Sequence, residues 1–287
     1  MVADDREACS NGIVSNSSEA PSDRPGEPLD RARLDGLSTR FGDIRWVAST
    51  GSTNADLAAA AAAGAPDGVV LVADEQTSGR GRRGRAWSAA SGDALLVSVL
   101  LRPTTQASDV GWVVSAAAIA LVEACEVVGL DRARLKWPND VVVTDPAGDR
   151  KLAGILAESV VSGQSIAALV VGVGCNVAAD MPAGLPEATS VDREAGRAVD
   201  RFELLSVWLG AFDRWLARLD GGDVAAVRGR YRELSATIGR EVVVETDEGS
   251  FRGRALDVDV HGHLIVATAD GERTVGAGDV ITARPVR

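Results

Sequence analysis

The stretch Trp112–Val122 holds one hydroxyl, Ser115, among tryptophan, valine, isoleucine, leucine and alanine, and it ends at Glu123. No longer apolar run occurs in the chain. It falls short of the roughly 20 residues needed to cross a bilayer. A helix apolar around its whole circumference must be enclosed as a core element. That helix is expected over Val110–Val128, closed by Gly129, and the remaining elements have to be disposed around it. At 287 residues and 46% hydrophobic content, the chain can bury a sizeable core as one large domain or two to three smaller ones.

Strands are expected at Ile44–Ala48, Val69–Ala73 and Ala94–Leu101. Between the first two, Ser52 or Thr53 can cap an alanine-rich helix over Asn54–Ala63 that stops at Gly64 and Pro66. Leu135–Thr144 reads as extended and interrupted by Pro138, and Leu152–Val160 with Ile166–Val173 reads as a hairpin around Ser162-Gly163. Phe202, Leu205, Leu209, Phe212 and Leu216 recur at helical spacing within a helix over Phe202–Leu219, followed by another over Val224–Leu234. Near Thr237 the pattern changes to short strands at Val242–Val244, Phe251–Val258, Leu264–Ala267 and Thr274-Val275. Turns at Asp247-Glu248-Gly249, His261-Gly262 and Asp270-Gly271 join them. The expected division is a polar, largely disordered tail over 1–40 with a short helix near Leu29–Phe41, a catalytic-sized domain over 41–236, and a small β-barrel over 237–287. A folded DNA-reading helix-turn-helix does not fit before Phe41.

The net charge of −11 argues against general nucleic-acid binding, where a basic face is expected. Cys9, Cys125 and Cys175 are odd in number, widely spaced and without a CxxC, the usage of reduced thiols in a cytoplasmic protein. The start MVADDREACS is acidic and polar, unlike a secretory signal.

Against that acidic background, Gly79–Arg85 alternates four arginines with three glycines and leads into Trp87. Arginine offers fixed charge and a planar donor fork for carboxylate or phosphate, and glycine permits close backbone approach. Such a loop can close over an anion and is costly to order, so it is expected to stay mobile until a ligand arrives. Taken alone, the run serves equally as a single-strand nucleic-acid patch. Ser52-Thr53-Asn54 can bind a small polar ligand or simply cap a helix. Lys136-Trp137-Pro138-Asn139-Asp140 can present a cation or simply form a turn. In Lys151–Glu158, Lys151 can add charge and Gly154 can admit a ligand to the sheet, or the stretch is simply a strand with a bulge. Gly172–Asn176 (GVGCN) ends a strand with glycines, where Asn176 can hold a base or ribose or the segment is simply a strand-to-loop turn. The Rossmann spacing and the Walker phosphate loop are both missing. His261 and His263 are the only histidines and lack a metal-ligand set.

In order along the chain, STN at 52–54, DEQTSGRGRRGRAW at 74–87, KWPND at 136–140, KLAGILAE at 151–158 and GVGCN at 172–176 resemble the biotin–protein ligases. The resemblance covers roughly residues 44–287. It implies an α/β (α+β) fold, with a catalytic domain like class II aminoacyl-tRNA synthetases on a mixed or antiparallel sheet and an SH3-like C-terminal domain. It implies activation of biotin with ATP and Mg²⁺ to biotinyl-5'-AMP, then transfer to a lysine of a biotin carboxyl carrier domain of an acyl-CoA carboxylase. By the same resemblance Ser52, Thr53, Asn54, Gln76, Arg80, Gly81, Arg82, Lys136, Gly154 and Ile155 line the biotin site. Arg82, Arg83, Arg85, Trp87, Lys136, Asn139, Lys151 and Asn176 meet the nucleotide, and Arg82 and Lys136 are the expected catalytic cations, with no metal ligand assigned. Lipoate–protein ligase, with the same fold and chemistry, is the alternative; a nucleic-acid module is a weaker one. Sequence-specific DNA binding and membrane association are not expected, and the oligomeric state is open.

Overall fold

The structure, a computed structural model, describes residues 40–102, 110–146, 148–163, 165–178, 187–276 and 278–282. The expected tail over 1–39, with its short helix and Cys9, lies outside the described residues. The chain runs β1 (Asp43–Thr50), α1 (Thr53–Ala62), β2 (Val69–Gln76), β3 (Ala94–Leu101), α2 (Val110–Val127), β4 (Ala133–Lys136), β5 (Asp140–Asp145), β6 (Gly148–Ser162) and β7 (Ser165–Asn176). It continues through α3 (Val191–Ala195), α4 (Arg201–Asp220), α5 (Val224–Leu234), β8 (Glu241–Thr246), β9 (Gly249–Val258), β10 (Leu264–Thr268), β11 (Gly271–Val275) and β12 (Asp279–Thr282).

The first seven strands form one mixed sheet in the order β1-β2-β3-β7-β6-β5-β4. Only β1 and β2 pair in parallel, and α1 makes the crossover such a pair requires. Helix α2 covers one face of the sheet, with Trp112 and the run Ser115–Val122 buried. Its lone hydroxyl is satisfied internally, Ser115 Oγ donating to Gly111 O at 3.0 Å. Helix α4 closes over α2: Trp208 Nε1 donates to Ala117 O at 3.1 Å, and Trp208, Phe212 and Phe41 stack in series.

Among the described residues, the opposite face is covered by α1 alone, through Leu57 and Ala61 packed on Val69, Leu71, Leu100, Ala168 and Val170. Arg102 closes the C-terminal end of α1, its guanidinium donating to Ala61 O, Ala65 O and Ala167 O. A short helix cannot span seven strands, so among the described residues no helix covers the sheet beside its N-terminus, and there the candidate site forms.

The second sheet is antiparallel throughout, in the order β11-β10-β9-β8-β12. Its 259–263 turn rests on the first unit, where Trp112 Nε1 donates to Val260 O at 2.7 Å and Trp137 Nε1 to Gly262 O at 3.1 Å.

Several strands are longer than their apolar cores. β6 begins at Gly148 because Asp149, which looks like a turn residue, is held by Arg240 at 2.9 Å and by Thr144 Oγ1 at 3.1 Å. Strand β12 is an addition to the expected set; its Val280-Ile281 pair is too short to carry a periodic signal.

Candidate active site

Asn54 sits in the first turn of α1 and lies flat across three strands. Ser98 of β3, Gly172 of β7 and Leu156 of β6 are in register with one another. The Asn54 amide spans them: Oδ1 accepts from Ser98 Oγ at 2.6 Å, and Nδ2 donates to Leu156 O at 3.2 Å and Glu158 Oε2 at 2.8 Å. The middle strand must lack a side chain there, since a Cβ on Gly172 would stand 2.2 Å from Asn54 Oδ1.

Next to Asn54, Thr53 bonds Gln76 Oε1 through its backbone N–H at 2.8 Å and its hydroxyl at 3.0 Å, and its hydroxyl also lies 2.7 Å from Ser98 Oγ. Gln76 is positioned by β2, which is anchored two residues earlier by the buried Asp74–Arg201 pair at 2.6 Å. Thr53 Oγ1, Ser98 Oγ, Asn54 Oδ1 and Gln76 Oε1 thus make three short O···O contacts, while the two hydroxyls carry only two protons. Both Asn54 amide protons are already committed to Leu156 and Glu158. This end of the site has acceptor capacity to spare and suits a ligand that brings N–H donors.

The adjoining floor is also glycine. Gly154 and Gly174 are register partners on β6 and β7, and the indole of Trp87 lies on them; a Cβ on Gly174 would stand 2.6 Å from Trp87 Cε2. The buried Trp87 Nε1–H has no partner among the described residues, which leaves a donor for a ligand oxygen.

Trp87 is carried by the arginine loop, which has contacts at both its base and its tip. Its base is an antiparallel bridge, Arg80 to Ala86, and its tip is a tight turn with Arg83 in the left-handed region at φ 56°. Two arginines tie the tip to the second sheet. Arg82 Nη1 donates to Gly278 O at 3.2 Å and to Asn139 Oδ1 at 3.4 Å, and Arg83 pairs with Asp247. At the loop's base Arg80 Nη2 lies 3.4 Å from Glu158 Oε1.

These elements enclose a cavity of about 140 Å³. One end is the Thr53–Asn54–Gln76 cluster. The other holds Arg82, Arg85 and Lys151, whose Nζ is 2.7 Å from Asp140 Oδ1 and 5.8 Å from the centre of the Trp87 ring. A second cavity of about 430 Å³ shares Arg82, Asn139, Ile155 and Leu156 with the first and extends to the 261–263 turn and α2.

Of the expected site residues, all but three line the first cavity. Asn176 instead donates from Nδ2 to Thr189 O at 3.0 Å, fixing the segment that pairs with Lys151. Arg83 turns outward to Asp247. Lys136, expected as a catalytic cation, is on the sheet's edge strand: its register partner is Asp140, whose own partner on β6 is Gly154. Two strand spacings put Lys136 roughly 10 Å from β6, whereas Lys151 is on β6 itself.

Ser98 had no expected role, and Gly172 and Glu158 entered only as the ends of motifs. Ser98 carries a readable signal, being the single polar residue in the otherwise apolar, fully buried strand ALLVSVLL. Glu158 has none, because a carboxylate near a strand end is ordinary.

The chain matches the Biotin/lipoate A/B protein ligase family over residues 47–176 and the Biotin protein ligase C terminal domain over residues 237–282. It is 37% identical to the biotin--[acetyl-CoA-carboxylase] ligase of Mycobacterium tuberculosis, covering 91% of this chain and 98% of that one. Against the enzyme of the same name from Paracoccus denitrificans the identity is 36%, over 82% and 98%. Among solved structures, the biotin protein ligase of Aquifex aeolicus in complex with biotin and ATP superimposes with a TM-score of 0.73 at 27% identity, covering 85% of this chain and all (100%) of that one.

Proposed function

Because the chain belongs to the biotin–protein ligase family, we propose that its cavity condenses biotin with ATP to biotinyl-5'-AMP and passes the biotinyl group to a lysine of a carboxylase carrier domain. One observation carries this reading. A single small cavity joins an acceptor-rich end to a cationic end beneath an arginine–glycine loop. Biotin is an acid with that polarity: ureido N–H donors at its head and a carboxylate at its tail. The head fits Thr53, Asn54 and Gln76, and the Ser52 hydroxyl can donate to the ureido oxygen. Lipoate has no N–H to offer the spare acceptors, so the same geometry disfavours it.

In the first step the biotin carboxylate attacks the α-phosphorus of ATP and pyrophosphate leaves. Two anions must meet, so fixed cations lower the barrier by stabilising the crowded charge. Arg82, Arg85 and Lys151 stand where that charge develops. The role expected of Lys136 passes to Lys151 on the same electrostatic argument. In the second step the neutral amine of the carrier lysine attacks the acyl carbon, a C–N bond forms, the C–O bond to phosphate breaks, AMP leaves and the amine loses a proton. Water would destroy the mixed anhydride, and a loop lying over the cavity excludes it. Trp87 Nε1–H is the donor we assign to a nucleotide oxygen, and Asn139 lies at the same end. Asn176 acts at one remove, by holding the 187–189 segment against β6.

ATP acts as its Mg²⁺ complex in this reading. Asp140 supplies a hard carboxylate oxygen at the cationic end and fits a metal bound mainly through phosphates. The activity is placed in the cytoplasm, consistent with the buried free thiols of Cys125 and Cys175. ATP–pyrophosphate exchange with biotin, with lipoate and with no acid tests the proposal. Exchange with biotin alone is expected; exchange with lipoate alone, or with neither acid, would refute it.

A further inference from the structure

Glu158 belongs to no step above, yet its side chain touches both the head-group cluster and the base of the arginine loop. Its Oε2 accepts from Asn54 Nδ2 at 2.8 Å, and its Oε1 stands 3.4 Å from Arg80 Nη2. We infer that Glu158 is a positioning residue that fixes which face of the Asn54 amide meets the ligand and, with the same carboxylate, holds the arginine loop against the sheet. The first role follows from hydrogen-bond bookkeeping. An amide can be turned over, exchanging oxygen for nitrogen at little steric cost. Here the turned form would aim the Asn54 oxygen at two acceptors, Leu156 O and the Glu158 carboxylate, which is repulsive. Glu158 therefore keeps the Asn54 oxygen toward Ser98 and the cavity and its N–H groups away. The second role is electrostatic. Arg80 and Ala86 form the bridge at the loop's base, so a tie at Arg80 acts on everything between them. One carboxylate thus links head-group orientation to the state of the loop. The head-group part rests on the biotin reading; the loop part does not.

Two substitutions separate the roles. Glu158→Gln keeps an oxygen for Asn54 Nδ2 and removes the charge that faces Arg80. Glu158→Ala removes both. The loop is read in the unliganded full-length protein by limited trypsin digestion, following cuts after Arg82, Arg83 and Arg85 by mass spectrometry. The ion pair is partly exposed, with side chains 51% and 32% accessible, so Glu158→Gln should speed nicking by about two- to fivefold. Arg80→Gln should do the same, and the double variant should add nothing further. The head group is read by the KM for biotin in pyrophosphate exchange. Glu158→Gln should stay within about twofold of the parent, and Glu158→Ala should raise KM about tenfold with a smaller change in kcat. Parental nicking in Glu158→Gln, or independent multiplication of the Glu158 and Arg80 effects, would overturn the loop tie. Equal KM values for the Gln and Ala variants would overturn the orienting role. A parent protein without biotin exchange would sink the ligase reading and, with it, the orienting role, while the nicking arm still decides the tie.

Discussion

Replacing Gly172 by alanine adds one methyl group at the point where the Asn54 amide crosses the sheet. The added carbon would lie 2.2 Å from Oδ1, 3.0 Å from Cγ and 3.2 Å from Nδ2 of Asn54. Restoring ordinary contact requires the amide to move by about 1 Å. The bonds at 2.6 Å to Ser98 and 2.8 Å to Glu158 do not survive such a shift together. Ser98 is fully buried, so its loss is not repaid by water. Two broken bonds and a stranded buried hydroxyl cost about 3 kcal/mol, which for a chain of this size lowers Tm by roughly 5 °C. The same shift misplaces the acceptor offered to the ureido group, so biotin affinity should fall about tenfold or more. Calorimetric melting and biotin titration measure both effects. Gly174→Ala is the control, because its methyl group strikes the Trp87 ring and leaves the Asn54 bonds alone. A Gly172→Ala protein with parental Tm and parental biotin affinity would refute the argument that the gap exists for Asn54.

Other outcomes follow from the same geometry. Lys151→Ala should cut pyrophosphate exchange by about a hundredfold or more and Lys136→Ala by less than about threefold; the reverse order would return the catalytic role to Lys136. Arg82→Gly removes the ties to Gly278 O and Asn139 and should speed adenylate release about fivefold or more, read by stopped-flow; parental release would dissociate Arg82 from closure. Burial pushes the Cys125 thiol up to about 12 and holds Cys175 well above the ordinary thiol range. Both stay neutral in the fold while the unfolded chain ionises near pH 8.5. Stability should therefore hold below that pH and fall above it by about 1.4 kcal/mol per pH unit for each thiol; urea midpoints that stay level from pH 8 to 10 would contradict this.

The fold was legible where uninterrupted apolar runs occur. Helix α2 and strand β3 carry patterns that admit few alternatives, and the change of rhythm near Thr237 announces the second sheet. The candidate site was legible where unusual residue types cluster, as in the arginine loop and the STN and KLAGIL motifs. What remained hidden depends on strand order. Lys136 and Lys151 are both lysines in short motifs of similar charge, and only the placement of β5 between their strands tells them apart. Gly172 and Ser98 are ordinary residues whose importance arises from register, which brings them beneath a side chain from a helix far away in the chain.

The glycine floor also limits how this pocket can change. A site lined by large side chains can be widened by trimming them, but Gly154, Gly172 and Gly174 have nothing left to remove. Every substitution there adds atoms, and at Gly172 and Gly174 those atoms displace a neighbour. Variation at the floor is one-way, toward a shallower pocket, so acceptance of a bulkier acid has to come from the roof. Trp87 is the roof residue with most to give, since its indole fills the trough that Gly154 and Gly174 leave open. Selection or engineering toward larger acids would therefore act first on the arginine loop's own tryptophan, changing the ligand and its cover in a single step.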